Sequence, residues 1–79
     1  MVLPAALEHL VRGIVDNPDD VRVDLVHGRR GKVLEVRVHP EDLGKVIGRG
    51  GRTAKALRQV VAGIGGRGVR VDVVETDLR

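Results

Sequence analysis

The segment Val46-Ile47-Gly48-Arg49-Gly50-Gly51-Arg52-Thr53-Ala54-Lys55-Ala56-Leu57 concentrates the residues of this sequence that could do chemistry. Glycines at 48, 50 and 51 strip every Cβ except that of Arg49 from the bend, so another backbone can approach to contact distance. A helix starting near Gly51 would present free N–H groups and the positive end of its dipole, a ready site for a phosphate. Arg49, Arg52 and Lys55 add full charges around that point, and Lys45 precedes it by one helical turn. Such a set grips a polyanion; it does not make or break bonds. Val46, Ile47 and Ala54 border the bend and would offer bases a shallow aliphatic surface. Core packing explains Val46 and Ile47 equally well and is the expected role of Leu57. For the glycines the plain alternative is a tight turn between two helices.

The charge distribution favours the polyanion. None of the eleven acidic residues falls between Leu43 and Val71, whereas Lys45, Arg49, Arg52, Lys55, Arg58, Arg67 and Arg70 all do. That window carries +7 and the rest of the chain −4, within a total of +3. A solvated surface usually mixes both signs; a segment of cations alone attracts nucleic acid first.

Other chemistries fit poorly. A chain of 79 residues buries only about 60% of its unfolded surface and leaves little room for an enclosed active site. With no cysteine, disulfides and thiolate metal sites are out of reach, as in many proteins of reducing compartments. His9, His27 and His39 are scattered without i, i+4 spacing and are expected on the surface. A phosphate-binding P-loop would need glycine where Val46 stands and lysine where Arg52 stands. A dinucleotide fingerprint would have to follow a strand, and this bend follows a helix. Glu41 and Asp42 are accounted for by a first helical turn, where carboxylates meet the positive end of the dipole. No nucleophile has an evident base, so an enzyme is not expected. With no run of apolar residues long enough to span a bilayer and no basic leader ahead of an apolar stretch, a soluble cytoplasmic protein is expected.

The elements that must position the bend follow from periodicity. Leu3, Leu7, Leu10, Val11, Ile14 and Val15 recur at spacings of three and four, predicting a helix that Asp16-Asn17-Pro18 ends. Val21, Val23 and Leu25, then Leu34, Val36 and Val38, alternate with polar residues around Gly28-Arg29-Arg30-Gly31, predicting a hairpin. Pro40, Glu41 and Asp42 open a short helix with Leu43, Val46 and Ile47 on its apolar face, and Gly48 stops it. The next helix places Ala54, Leu57, Val60, Val61 and Ile64 inward. Gly63, Gly65, Gly66 and Gly68 form an exit loop, Val69, Val71 and Val73 a last strand, and an unstructured acidic tail follows. The order α-β-β-α-α-β predicts an α+β fold, helices covering one face of a three-stranded sheet. The expectation is one domain over 1–79: helix in 1–18, hairpin in 20–39, helix-loop-helix in 40–65, last strand in 68–75.

Gly48-Arg49-Gly50-Gly51 between two helices, with the flanking Val46-Ile47 and Arg52 to Leu57, resembles the helix, G-x-x-G loop, helix signature of a KH domain. The preceding helix and hairpin resemble the type II arrangement, and the single-domain length resembles small bacterial KH proteins of the KhpA kind. The resemblance spans nearly the whole chain and is most specific from Val38 to Arg58. It implies single-stranded RNA held at the loop, about four nucleotides at a time, without catalysis or cofactor. The contact set it implies is Lys45, Val46, Ile47, Gly48, Arg49, Gly50, Gly51, Arg52, Thr53 and Lys55. It further implies a bacterial RNA chaperone or post-transcriptional regulator, and a homodimer or a heterodimer with a KhpB-like protein. Ala54 stands where many KH domains carry a larger aliphatic residue, and no aromatic residue is present for stacking, so little base selectivity is expected. The alternative is a scaffold subunit that uses the sheet edge or the first helix to contact protein and meets RNA incidentally.

Overall fold

A computed structural model describes residues 3–65 and 68–76. Its order is α1 (Leu3–Arg12), β1 (Arg22–Gly28), β2 (Gly31–Val38), α2 (Leu43–Ile47), α3 (Arg52–Gly63) and β3 (Arg70–Glu75), with single 3-10 turns at Pro18–Asp20, Pro40–Asp42 and Arg49–Gly51. The sheet order is β1-β2-β3. β1 and β2 pair antiparallel from Arg22 opposite Arg37 to Gly28 opposite Gly31. β2 and β3 pair in parallel, Leu34 beside Val71 and Val36 beside Val73. Parallel neighbours need a long crossover, and here α2, the glycine bend and α3 supply it. The architecture is the α+β, type II KH-like fold expected from the sequence.

The core lies on one sheet face. Leu34, Val36 and Val38 are fully buried, while Lys32 is exposed and Glu35 and Arg37 turn to the other face. Val21 and Val71 extend that apolar face, and Leu3, Leu7, Val11, Val46, Leu57 and Val61 cover it from the helices. Helix burial is narrower than the apolar periodicity predicts. Leu10, Ile14, Val60 and Ile64, expected inward, are 37–49% exposed. The contact with the sheet follows i, i+4 and i, i+3 rows (Leu3, Leu7, Val11; Ala54, Leu57, Val61), and a three-stranded sheet is too small to cover the adjoining row of each helix. α1 also ends at Arg12, where the Gly13 N–H divides between His9 O (3.3 Å) and Leu10 O (3.2 Å). The chain then turns four residues ahead of the Asn17-Pro18 stop that the sequence suggests. Gly66 of the predicted exit loop, Arg67 and residues 77–79 of the predicted tail lie outside the described residues. Thr76 is anchored, its N–H donating to Val38 O at 2.7 Å.

Candidate nucleic-acid interface

α2 ends because Gly48 adopts φ 78°, ψ 170°, a conformation closed to ordinary L residues. Gly50 (φ 64°, ψ 18°) and Gly51 (φ 80°, ψ 12°) then carry the chain through two left-handed steps into α3. Gly48 O accepts from Gly51 N at 3.1 Å, closing the bend. The glycines divide the work. A Cβ at Gly48 would clash with Thr53 Oγ1 and lie 2.8 Å from Thr53 N, so this glycine allows the loop to close on its own helix. At Gly50 and Gly51 a Cβ would meet only open space, so these two keep the outer surface of the bend clear. No side chain caps the N-terminus of α3, which leaves its dipole facing outward beside Arg49.

Each residue of the expected contact set has a distinct place. Arg49, Arg52 and Lys55 are exposed, and among the described residues no carboxylate pairs with them. Lys45 is also exposed, but its ammonium is paired with the Asp16 carboxylate. That hydrogen bond, reinforced by the charges of Asp16, Asp42 and Glu41 and opposed by partial burial, raises the Lys45 pKa. Thr53 is half-buried under Gly48 and acts as a buttress of the loop. Val46 corrects the expectation of contact: it is fully buried in the core. Its neighbour Ile47 takes the outward position, 37% exposed. In a helix only five residues long, one apolar side chain can face the sheet while the next is turned about 100° away.

Ile47 and Ala54 line a groove of about 410 Å³ with Gly51, Arg58, Asp72, Val73 and Val74. Ala54, 6% exposed, is its shallow floor. The far wall is β3, whose outer edge has no strand partner among the described residues and so offers free backbone donors and acceptors. Sequence reasoning missed Arg58 and β3 as parts of this site. Arg58 could have been found, since it follows Ala54 by four residues and therefore shares its face; β3 carried no local signal.

Asp42 stands in the first helical turn, as the sequence predicts, but its side chain does something the sequence did not show. It is fully buried, and instead of facing the helix dipole its carboxylate accepts from Asp16 N (3.2 Å), Asn17 N (2.9 Å) and Asn17 Nδ2 (3.0 Å). Burial pushes its pKa up, but the hydrogen bonds from Asn17 and from the Asp16 and Asn17 backbone, with the Lys45 charge, outweigh that and hold it below the ordinary aspartate value. Together, Asp42 and the Lys45–Asp16 pair fasten the exit of α1 to the helix that leads into the glycine bend. The turn before α2 is capped by His39, whose Nδ1 accepts from Glu41 N at 3.0 Å.

The family described as KhpA/KhpB, KH domain, matches residues 4–75. The chain belongs to this family. It is 78% identical over 76 residues to the RNA-binding protein KhpA of Mycobacterium tuberculosis (strain ATCC 25618 / H37Rv), covering 96% of this chain and 95% of that protein. To the RNA-binding protein KhpA of Streptomyces coelicolor it is 74% identical over 76 residues, 96% of both chains. To that of Halalkalibacterium halodurans it is 47% identical over 72 residues, 87% of this chain and 95% of the relative. No solved structure matches the chain. The glycine bend lies within the matched span. No helix among the described residues is long and apolar enough to cross a membrane.

Proposed function

We propose that this KH domain binds single-stranded RNA without catalysis, holding phosphates at Gly48 to Gly51 and laying bases into the groove between Ile47, Ala54 and β3. The observation that carries this is the uncapped glycine bend, open at Gly50 and Gly51 and flanked by Arg49, Arg52 and Lys55, which have no acidic partner among the described residues. The relatives named RNA-binding protein KhpA support it. Sequence discrimination is low, because the groove is aliphatic and shallow and lacks the aromatic stacking that contributes about 1–3 kcal/mol per base elsewhere. A grip of that kind suits a bacterial RNA chaperone or post-transcriptional regulator acting in the cytoplasm. To test it, titrate a labelled single-stranded RNA at increasing salt. With three cations neutralising phosphates, the logarithm of affinity should fall against the logarithm of salt with a slope of roughly −2. A flat salt response would reject phosphate recognition.

One module with few phosphate contacts binds weakly, so pairing with a second KH chain, either another copy or a KhpB-like protein, raises avidity. The family name joins KhpA to KhpB. The exposed Leu10, Ile14 and Val60 frame an apolar groove of about 370 Å³ between α1 and α3, which reaches Thr53 at the base of the bend. We place the second copy there. In sedimentation equilibrium the parent should dimerise and Val60→Asp should remain monomeric; a parent that stays monomeric at high concentration gives this face to the KhpB-like partner.

A further inference from the structure

The tip of the β1-β2 hairpin is a second cationic site. Two-residue hairpin turns favour Asn, Asp and Gly, yet here the turn positions are Arg29 and Arg30, both exposed, between Gly28 and Gly31. The positive φ falls on Gly31 (122°), whose open α-carbon faces Gly68 O, so the tip packs beside the entry to β3. There Arg29, Arg30 and Arg70 line a hollow of about 220 Å³ to which no carboxylate among the described residues contributes. Among the described residues neither Arg29 nor Arg30 has an acidic partner, and Arg70 reaches Asp72 only at 3.9 Å.

This hollow is linked to the groove beside the glycine bend through shared lining residues. Arg58 lines that groove and also the next hollow along β3, of about 320 Å³. Arg70 lines that middle hollow and the hairpin-tip hollow. Three concavities therefore follow one another along the edge of β3, with an arginine at each junction and, among the described residues, Asp72 as the one acidic residue lining them. α3, running alongside, is 12 residues long, or about 18 Å, so the track separates two phosphate-binding points by several nucleotides. An extended, flexible polyanion matches this spacing of charge, whereas a compact anion could use only one end.

We propose that the RNA strand held at Gly48 to Gly51 continues past Arg58 and Arg70 to a second phosphate clamp formed by Arg29 and Arg30, giving a footprint longer than the four nucleotides of the loop. The clamp rests on the RNA-binding function proposed above. Fluorescein-labelled oligouridylates of 4 and 12 nucleotides separate the two. Arg29→Gln with Arg30→Gln, both exposed and outside the core, should bind the 4-mer within twofold of the parent but the 12-mer at least fivefold more weakly, with a shallower salt slope. Unchanged melting verifies folding. Equal binding of the 12-mer by parent and variant overturns the clamp while leaving the loop untouched, and so does an equal loss on both lengths, which would mark diffuse attraction. A parent that binds neither length overturns both proposals.

Discussion

Arg49→Asp combined with Gly50→Asp should abolish most single-stranded RNA binding while leaving the fold intact. A charge-assisted hydrogen bond contributes about 1.5–3 kcal/mol, so losing one phosphate contact alone predicts roughly 10- to 100-fold weaker binding. The two new carboxylates beside the α3 N-terminus add repulsion in the same direction. The variant should fold because the site at Gly50 is open and its left-handed conformation is one that aspartate tolerates better than most residues. A substitution at Gly48 would be a poorer test, since any Cβ there collides with Thr53 and disturbs the loop itself. The measurement is fluorescence anisotropy with labelled RNA, paired with thermal melting of both proteins. Undiminished binding by the folded double variant would show that the bend is not the site.

The largest effect on stability is expected at Asp42. Removing the carboxylate in Asp42→Ala strands the Asp16 and Asn17 donors next to a vacated buried site, and unsatisfied buried polar groups are among the costliest changes in a small domain. The melting temperature should fall by roughly 10 °C or more. The pH dependence has a definite sign. The Asp42 pKa lies below its ordinary value in the folded protein, so the stability it contributes is fully present above about pH 4 and is lost as pH falls through the lowered folded value. Melting curves from pH 7 down to pH 2.5 should show an acid-side loss in the parent that is smaller in Asp42→Asn. An identical acid profile in both proteins would remove Asp42 from the acid-labile part of the fold. Because the same carboxylate ties the α1 exit to α2, the variant should also bind RNA more weakly at temperatures where it remains folded.

Much of the architecture was legible in the residues. Alternation at Leu34, Val36 and Val38 announced a strand with one buried face, and all three are fully buried. Gly48 to Gly51 announced the bend, because each of those glycines adopts a backbone angle that side chains resist. Helix faces were legible only in part. Leu10 and Leu7 fit the same apolar pattern, yet Leu7 is buried and Leu10 is 38% exposed, since a periodic stripe does not say how much of it a neighbour will cover. Within the contact set, Val46 and Ile47 were interchangeable by type, and the direction of one short helix separated them.

What this sequence determines by itself is local: the periods of its helices and strands, the positions where only glycine turns easily, and a run of cations free of acids. These depend on residues a few places apart, where chain geometry leaves few choices. Tertiary structure decided the rest. It buried Asp42 against donors 25 and 26 residues away, turned Lys45 toward Asp16, and made β3 the far wall of the groove. It also brought Arg70 to the hairpin arginines. Those outcomes depend on which surfaces meet when the sheet and helices pack, and a linear pattern of hydrophobicity and charge does not specify through-space neighbours.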